Sequence, residues 1–101
     1  MKRILCYGDS LTWGFNPNDW SRYEPDQIWT GVLQNSLGNE FQVITEALPG
    51  RTTSFNSPFL PYRNGVESLP LILESHSPLN LVVFFLGIND LIKSLNASWY
   101  K

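Results

Sequence analysis

Gly8-Asp9-Ser10-Leu11 directly follows the apolar run Ile4-Leu5-Cys6-Tyr7. A serine hydroxyl is a poor nucleophile until a general base takes its proton. Its position still matters, because open α/β sheets build their sites outside the carboxyl ends of their strands. Gly8 would let the chain turn tightly and leave the Ser10 amide free to point at a developing oxyanion. For Gly-Asp-Ser alone, an ordinary turn serine explains the same residues. Two later segments carry further donors. In Pro49-Gly50-Arg51-Thr52-Thr53 a glycine permits close approach of a ligand to the main chain. In Gly87-Ile88-Asn89-Asp90 the Asn89 side-chain amide can aim at an oxyanion. Taken singly, Gly50 is a turn residue after Pro49, and Asn89 is the N-cap of a helix running toward Leu95. Three strand ends that each carry one needed group are harder to obtain by chance than any one of them.

Positioning these groups requires strands that end together. Arg3–Tyr7 reads as the first strand, Phe41–Glu46 as the second and Leu81–Leu86 as the third. The third is an unbroken Leu-Val-Val-Phe-Phe-Leu run, the pattern of a strand covered on both faces in a parallel sheet. Asp26 is a candidate N-cap for a helix through Leu37, ended by Gly38-Asn39. Trp29, Val32, Leu33 and Leu37 would form its apolar face. A second helix runs from Gly65 or Ser68 to Ser75, with Val66, Leu69, Ile72 and Leu73 inward and Pro70 in its first turn. Strand alternating with helix implies right-handed parallel crossovers. The fold class is therefore α/β, a three-layer α/β/α, flavodoxin-like parallel sheet; such a sheet whose first strand carries the nucleophile commonly has the strand order 2-1-3. Two long loops, from Asp9 to Pro25 and from Pro49 to Asn64, follow carboxyl ends of strands, where function concentrates.

Composition narrows the class. The chain has 101 residues, 43% hydrophobic and 16% charged, which suits one globular domain rather than disorder. Net charge is −2 with no basic run, so no nucleic-acid or anionic-membrane surface is expected. Cys6 is the only cysteine, so no internal disulfide can form. The Lys2-Arg3 start and the short apolar run after it do not make a signal peptide. No stretch approaches the ~18 apolar residues needed to span a bilayer. A cytoplasmic location is the expectation, in which the Asn96-Ala97-Ser98 glycosylation pattern has no role.

The blocks Gly8-Asp9-Ser10-Leu11-Thr12-Trp13-Gly14, the segment around Gly50, and Gly87-Ile88-Asn89-Asp90 together resemble the SGNH, or GDSL, hydrolase superfamily. The longer match from Lys2 to Gly14, together with Arg51-Thr52-Thr53, resembles its bacterial arylesterase and acyltransferase branch. The resemblance implies that Ser10 is the nucleophile. It also implies that the Ser10 amide, the Gly50 amide and the Asn89 side chain hold the oxyanion. It implies a serine esterase or acyltransferase acting on small acyl or aryl esters through an acyl-enzyme, with no metal or redox cofactor. The family's fourth block, an Asp-x-x-His near the carboxyl terminus of a chain about twice as long, has no match here. Residues 1–101 thus read as a single incomplete domain, a truncated form with later strands missing and little activity alone.

His76 is the only histidine. It falls between the second helix and the third strand, at the amino edge of the sheet, whereas Ser10 falls at the carboxyl edge. A strand of that length spans roughly 20 Å, and a hydrogen bond needs about 3 Å. His76 is therefore read as a helix C-terminal residue that suits the helix dipole. Asp9 and Asp90 are read as local hydrogen-bonding residues that shape their turns. Arg51 would bind an anionic group or pair with a carboxylate such as that of Glu46. Trp13 and Phe55, with Trp20, Tyr23 and Phe59, would line an acyl or aryl pocket beside Ser10, or else serve loop packing or a subunit contact. Two other classes remain in view. One is a flavodoxin-like phosphate-binding module, although no Gly-x-Gly-x-x-Gly or Walker pattern follows the first strand. The other is a remnant serving association, in which a homo-oligomer or a complementary chain completes the sheet.

Overall fold

The apolar run that leads to Ser10 forms β1 (Lys2–Gly8), and Ile4, Leu5, Cys6 and Tyr7 are all buried. The structure, a computed structural model, describes residues 1–95. The Asn96-Ala97-Ser98 pattern and Trp99 lie outside the described residues. β1 is buried because it is flanked on both sides. It pairs in parallel with β2 (Phe41–Ala47) and with β3 (Leu81–Phe85), giving the expected order β2-β1-β3. Gly8 stands opposite Ala47 in one ladder and Phe85 in the other. The three strands therefore stop level with one another, and the segments that follow them leave the same edge side by side.

Among the described residues, four helices accompany the sheet: α1 (Ser10–Trp13), α2 (Trp29–Leu37), α3 (Gly65–His76) and α4 (Ile88–Leu95). Successive strand residues point to opposite faces. The Thr45 hydroxyl donates to the Thr30 hydroxyl of α2 at 2.8 Å, while Glu46 meets His76 of α3 at 2.7 Å. So α2 and α3 cover opposite faces, as right-handed crossovers require when the chain reverses its direction across the sheet. The Arg3 guanidinium ties down the amino edge, donating to the carbonyls of Pro78 and His76 and to the Gln42 side chain. Among the described residues, no helix is long and apolar enough to cross a membrane.

Two local expectations are corrected. Asp26 does not cap α2. Pro25–Gln27 forms a 3₁₀ turn, and α2 begins at Trp29 after Ile28. Proline's fixed φ starts that tight turn one residue before Asp26, so Asp26 is already inside it. Pro70 does not lie in the first turn of α3 either. The helix starts at Gly65, which puts Pro70 in its interior, where it offers no N–H to the Val66 carbonyl.

Candidate active site

Gly8 closes β1 against α1 so tightly that a Cβ there would lie 2.3 Å from Thr12 Oγ1. Only glycine allows this approach. The buried Asp9 then caps α1, its Oδ1 accepting from the Leu11 amide at 3.1 Å and its carbonyl from the Thr12 and Trp13 amides. Burial pushes the Asp9 carboxyl up, and the Leu11 N–H pulls it partly back. Ser10 is the first residue of α1, so its amide has no partner inside the turn. It donates to no other described residue, and the Ser10 hydroxyl makes no hydrogen bond among the described residues. Buried Thr12 accepts from Trp29 Nε1 at 2.9 Å, which anchors the start of α2 to this turn.

After β2 the chain makes a β-turn over residues 48–51, closed by Arg51 N–H to the Leu48 carbonyl at 3.1 Å. Proline at the second position and a glycine with φ +85° at the third define a type II turn, which needs φ > 0 there. The Pro49–Gly50 peptide is planar and trans, so its C=O and N–H point opposite ways. Arg63 Nε donates to the Pro49 carbonyl at 2.9 Å and thereby fixes the direction of the Gly50 amide. Arg63 is itself pinned, because its carbonyl accepts from the Thr52 amide at 2.8 Å. Among the described residues, the Gly50 amide donates to no acceptor.

Asn89 is the second residue of α4, inside the helix rather than at its cap. Its Nδ2 donates to the Arg51 carbonyl at 2.9 Å, next to Gly50. That bond uses one of two amide hydrogens and leaves the other to serve a ligand. Asp90 acts over a distance, not locally as its sequence position suggested. Its carboxylate accepts from the Thr53 amide at 2.9 Å and from the Thr53 hydroxyl. The segments after β2 and β3 are thus bolted together by adjacent residues of α4. Gly50 and Asn89 line one hollow of about 200 Å³, and Ser10 lines a second of about 320 Å³.

The remaining candidates sit apart from these hollows. The Trp13 ring lies under the Arg22 guanidinium, 4.4 Å from ring centroid to Cζ. Phe55 is held through its backbone by Thr52 Oγ1. Neither lines either hollow; Phe15, Tyr23, Trp29 and Phe85 wall one, and Pro58, Phe59 and Leu60 the other. Arg51 is buried and does not pair with the Glu46 carboxylate. Its Nη1 donates to the carbonyls of Gly8 and Glu46, and its guanidinium stacks 4.1 Å from the Tyr7 ring centroid. Burial pulls its pKa down, and the Tyr7 and Glu46 charges pull it back up. The Glu46 carboxylate is taken by His76 Nε2 at 2.7 Å. The His76 carbonyl accepts from Arg3 at the amino edge, while its ring extends toward the other edge to reach Glu46, the next-to-last residue of β2.

A family model matches residues 6–100 of this chain, that of the GDSL-like Lipase/Acylhydrolase family. The chain belongs to that family. The match contains the turn after β1, the turn after β2 and the start of α4. Among solved structures, the native M. smegmatis aryl esterase is 51% identical with a TM-score of 0.85, over 89% of this chain and 44% of that one. A carbohydrate acetylesterase family member from Sinorhizobium meliloti is 47% identical with a TM-score of 0.86, over 90% and 43%. A putative arylesterase from Agrobacterium tumefaciens is 41% identical with a TM-score of 0.87, over 96% and 47%. This chain therefore spans less than half the length of each. No curated protein matches it.

Several residues of the site carry no signal in the sequence. Arg63 is an isolated arginine in a loop, and nothing in its neighbourhood announces that it holds the Pro49 carbonyl. The Thr53–Asp90 tie joins residues that only the sheet topology brings together. The Thr12–Trp29 bond could have been suspected only from two polar-tipped residues flanking one long loop.

Proposed function

We propose that this chain carries the nucleophile and oxyanion site of a serine esterase that acts on small acyl or aryl esters through an acyl-enzyme. The observation that carries the reading is the level ending of the three strands. It brings the Ser10 turn, the Gly50 turn and Asn89 to one edge, with Asn89 hydrogen-bonded to the carbonyl next to Gly50. In the reaction, Ser10 Oγ attacks the ester carbonyl carbon and loses its proton to a base. The carbonyl electron pair moves onto oxygen, where the Ser10 amide, the Gly50 amide and the free hydrogen of Asn89 Nδ2 receive it. Collapse of that intermediate expels the alcohol and leaves acyl-Ser10, which water then hydrolyses. Solved relatives described as aryl esterase and carbohydrate acetylesterase agree with small acyl groups and with aryl or sugar alcohols.

The base is not His76, whose ring is committed to Glu46. The 101 residues therefore supply the site that receives charge but not the group that removes the proton. Oxyanion donors and binding alone leave about 10³–10⁴-fold over water in triad enzymes, so turnover by this chain is expected to be negligible. The test supplies the missing base as free imidazole and reads the acetyl adduct by mass spectrometry after exposure to 4-nitrophenyl acetate. Imidazole should accelerate acetylation at Ser10, and Ser10→Ala should abolish that adduct while His76→Ala leaves it intact. Adduct formation that is indifferent to Ser10 would sink the nucleophile assignment.

A further inference from the structure

A tetrahedral intermediate on Ser10 has four substituents on one carbon. One is Ser10 Oγ and one is the oxyanion. The acyl chain and the alcohol must leave in two other directions, so the site needs two receiving volumes. The structure has two at this edge, with different walls. Ser10 opens onto the larger, which is walled by Phe15, Tyr23, Trp29 and Phe85. Trp29 and Phe85 meet there edge to face with centroids 6.0 Å apart, and Trp29 is fixed by its bond to Thr12. Gly50 and Asn89 open onto the smaller, which is walled by Pro58, Phe59 and Leu60. Ser57 Oγ accepts from the Phe59 and Leu60 amides at 3.2 Å each, so this wall is ordered by its own loop.

We infer that the Phe15–Tyr23–Trp29–Phe85 hollow receives the aryl alcohol portion of the ester and that the Pro58–Leu60 hollow receives a short aliphatic acyl chain. Two features decide the assignment. Four rings, two of them in edge-to-face contact, offer more edge and face partners to another ring than the smaller hollow, whose wall has the one ring of Phe59 beside Pro58 and Leu60. The hollow bordered by the Gly50 and Asn89 donors is the smaller, about 200 Å³ against about 320 Å³, so it suits a short chain better than a ring. The aryl subsite therefore lies on the α2 side of Ser10 and excludes Trp13 and Phe55. This inference rests on the serine-esterase reading for the meaning of the hollows but not for their occupancy, which ligands report without any reaction.

The experiment uses the ¹⁵N-labelled 101-residue chain and two unreactive probes, phenol and butyramide. Phenol should shift the Trp29 indole N–H and the Gly14 and Phe85 amides. Butyramide should shift the Gly50 and Leu60 amides and the Asn89 side-chain amide. Phe85→Leu should weaken phenol about three- to tenfold, the value of one aromatic pair, and leave butyramide unchanged. Phe15→Leu provides a second reading of the same wall if Phe85→Leu fails to fold. Leu60→Ala should weaken butyramide alone. Phenol acting on the Gly50 set, both probes acting on one set, or no shift by either up to saturation of the titration would overturn the assignment. Ser10→Ala keeps both shift patterns. Loss of Ser10 acetylation with both patterns intact would therefore discredit the esterase reading and not the subsites.

Discussion

Arg63 acts on the site through a single carbonyl. A type II turn leaves its central peptide free to rotate at modest cost, and a rotated peptide would turn the Gly50 N–H away from the oxyanion. The Arg63 Nε bond to the Pro49 carbonyl removes that freedom, and it is charge-assisted, which roughly doubles the strength of a neutral bond. Arg63→Ala should keep the chain reversal, because the Arg51 bond to the Leu48 carbonyl suits either turn type, while the Pro49–Gly50 peptide becomes free to flip and take Gly50 away from its φ of +85°. What should fall is the imidazole-assisted acetylation of Ser10, by about tenfold or more. That is a smaller loss than the 10²–10³ for removing an oxyanion donor outright. Arg63→Lys should recover part of the rate. Measuring the acetylation rate at several concentrations of 4-nitrophenyl acetate separates the two ways the variant could fail. A fall confined to apparent affinity would show that Arg63 shapes the pocket and does not aim the amide.

At the scale of elements, α3 carries an unexpected defect. Pro70 lies in its interior and leaves the Val66 carbonyl without its helical partner. Pro70 is exposed, so its ring contributes little packing to offset this. Pro70→Ala should stabilise the chain by about 1–3 kcal/mol, read as a raised urea midpoint at unchanged slope. A lowered midpoint would mean that the proline bend is needed to seat α3 between Tyr7, which donates to the Gly65 carbonyl, and Glu46, which holds His76. This helix also shows what the sequence reveals and what it hides. Strands were legible to within two residues because Ile4–Tyr7 and Leu81–Phe85 are continuous apolar runs between turn residues. The parallel pairing followed from the alternation of strand and helix, and the order β2-β1-β3 from the common arrangement of such sheets when the first strand bears the site. The segments bearing Ser10, Gly50 and Asn89 were legible because each follows a strand. The sequence does not fix the start of α3 between Gly65 and Ser68, because its position is set by Thr52, whose carbonyl accepts from the Gly65 amide across the Pro49–Asn64 loop. Asp26 misled because cap propensity is local, whereas the neighbouring proline had already begun a tighter turn. Arg63 and Asp90 were opaque for the same reason in stronger form: their partners lie 14 and 37 residues away.

At the scale of the whole molecule, much apolar surface is exposed. Among the described residues, the buried hydrophobic ones are Ile4, Leu5, Cys6, Tyr7 and Ile28, all but one of them on β1. β3 has the composition of a central strand, yet among the described residues it pairs only with β1. Leu81, Phe84 and Phe85 are 53%, 56% and 46% exposed, and the outer row of β3 backbone groups has no ladder partner among the described residues. Natural edge strands carry charge, proline or a bulge to prevent pairing with other chains, and Leu-Val-Val-Phe-Phe has none of these. Leu71 of α3 and Leu91 of α4 add exposed apolar area at 73% and 50%. The radius of gyration, 14.5 Å, exceeds the ~13 Å typical of a compact 100-residue domain. A further strand beside β3, from a second copy or from additional polypeptide, would cover this edge. The chain alone should therefore bind a hydrophobic dye and self-associate with rising concentration, as followed by light scattering on a sizing column. Leu81→Lys, at the exposed start of β3, should reduce association by placing a charge on the edge while leaving β1 and its buried residues untouched. Dye binding should fall less, because Phe84, Phe85 and Leu71 remain exposed. A monodisperse monomer with a sharp thermal transition and no dye binding would show that β3 is a tolerated edge and that the three-stranded sheet is sufficient in itself.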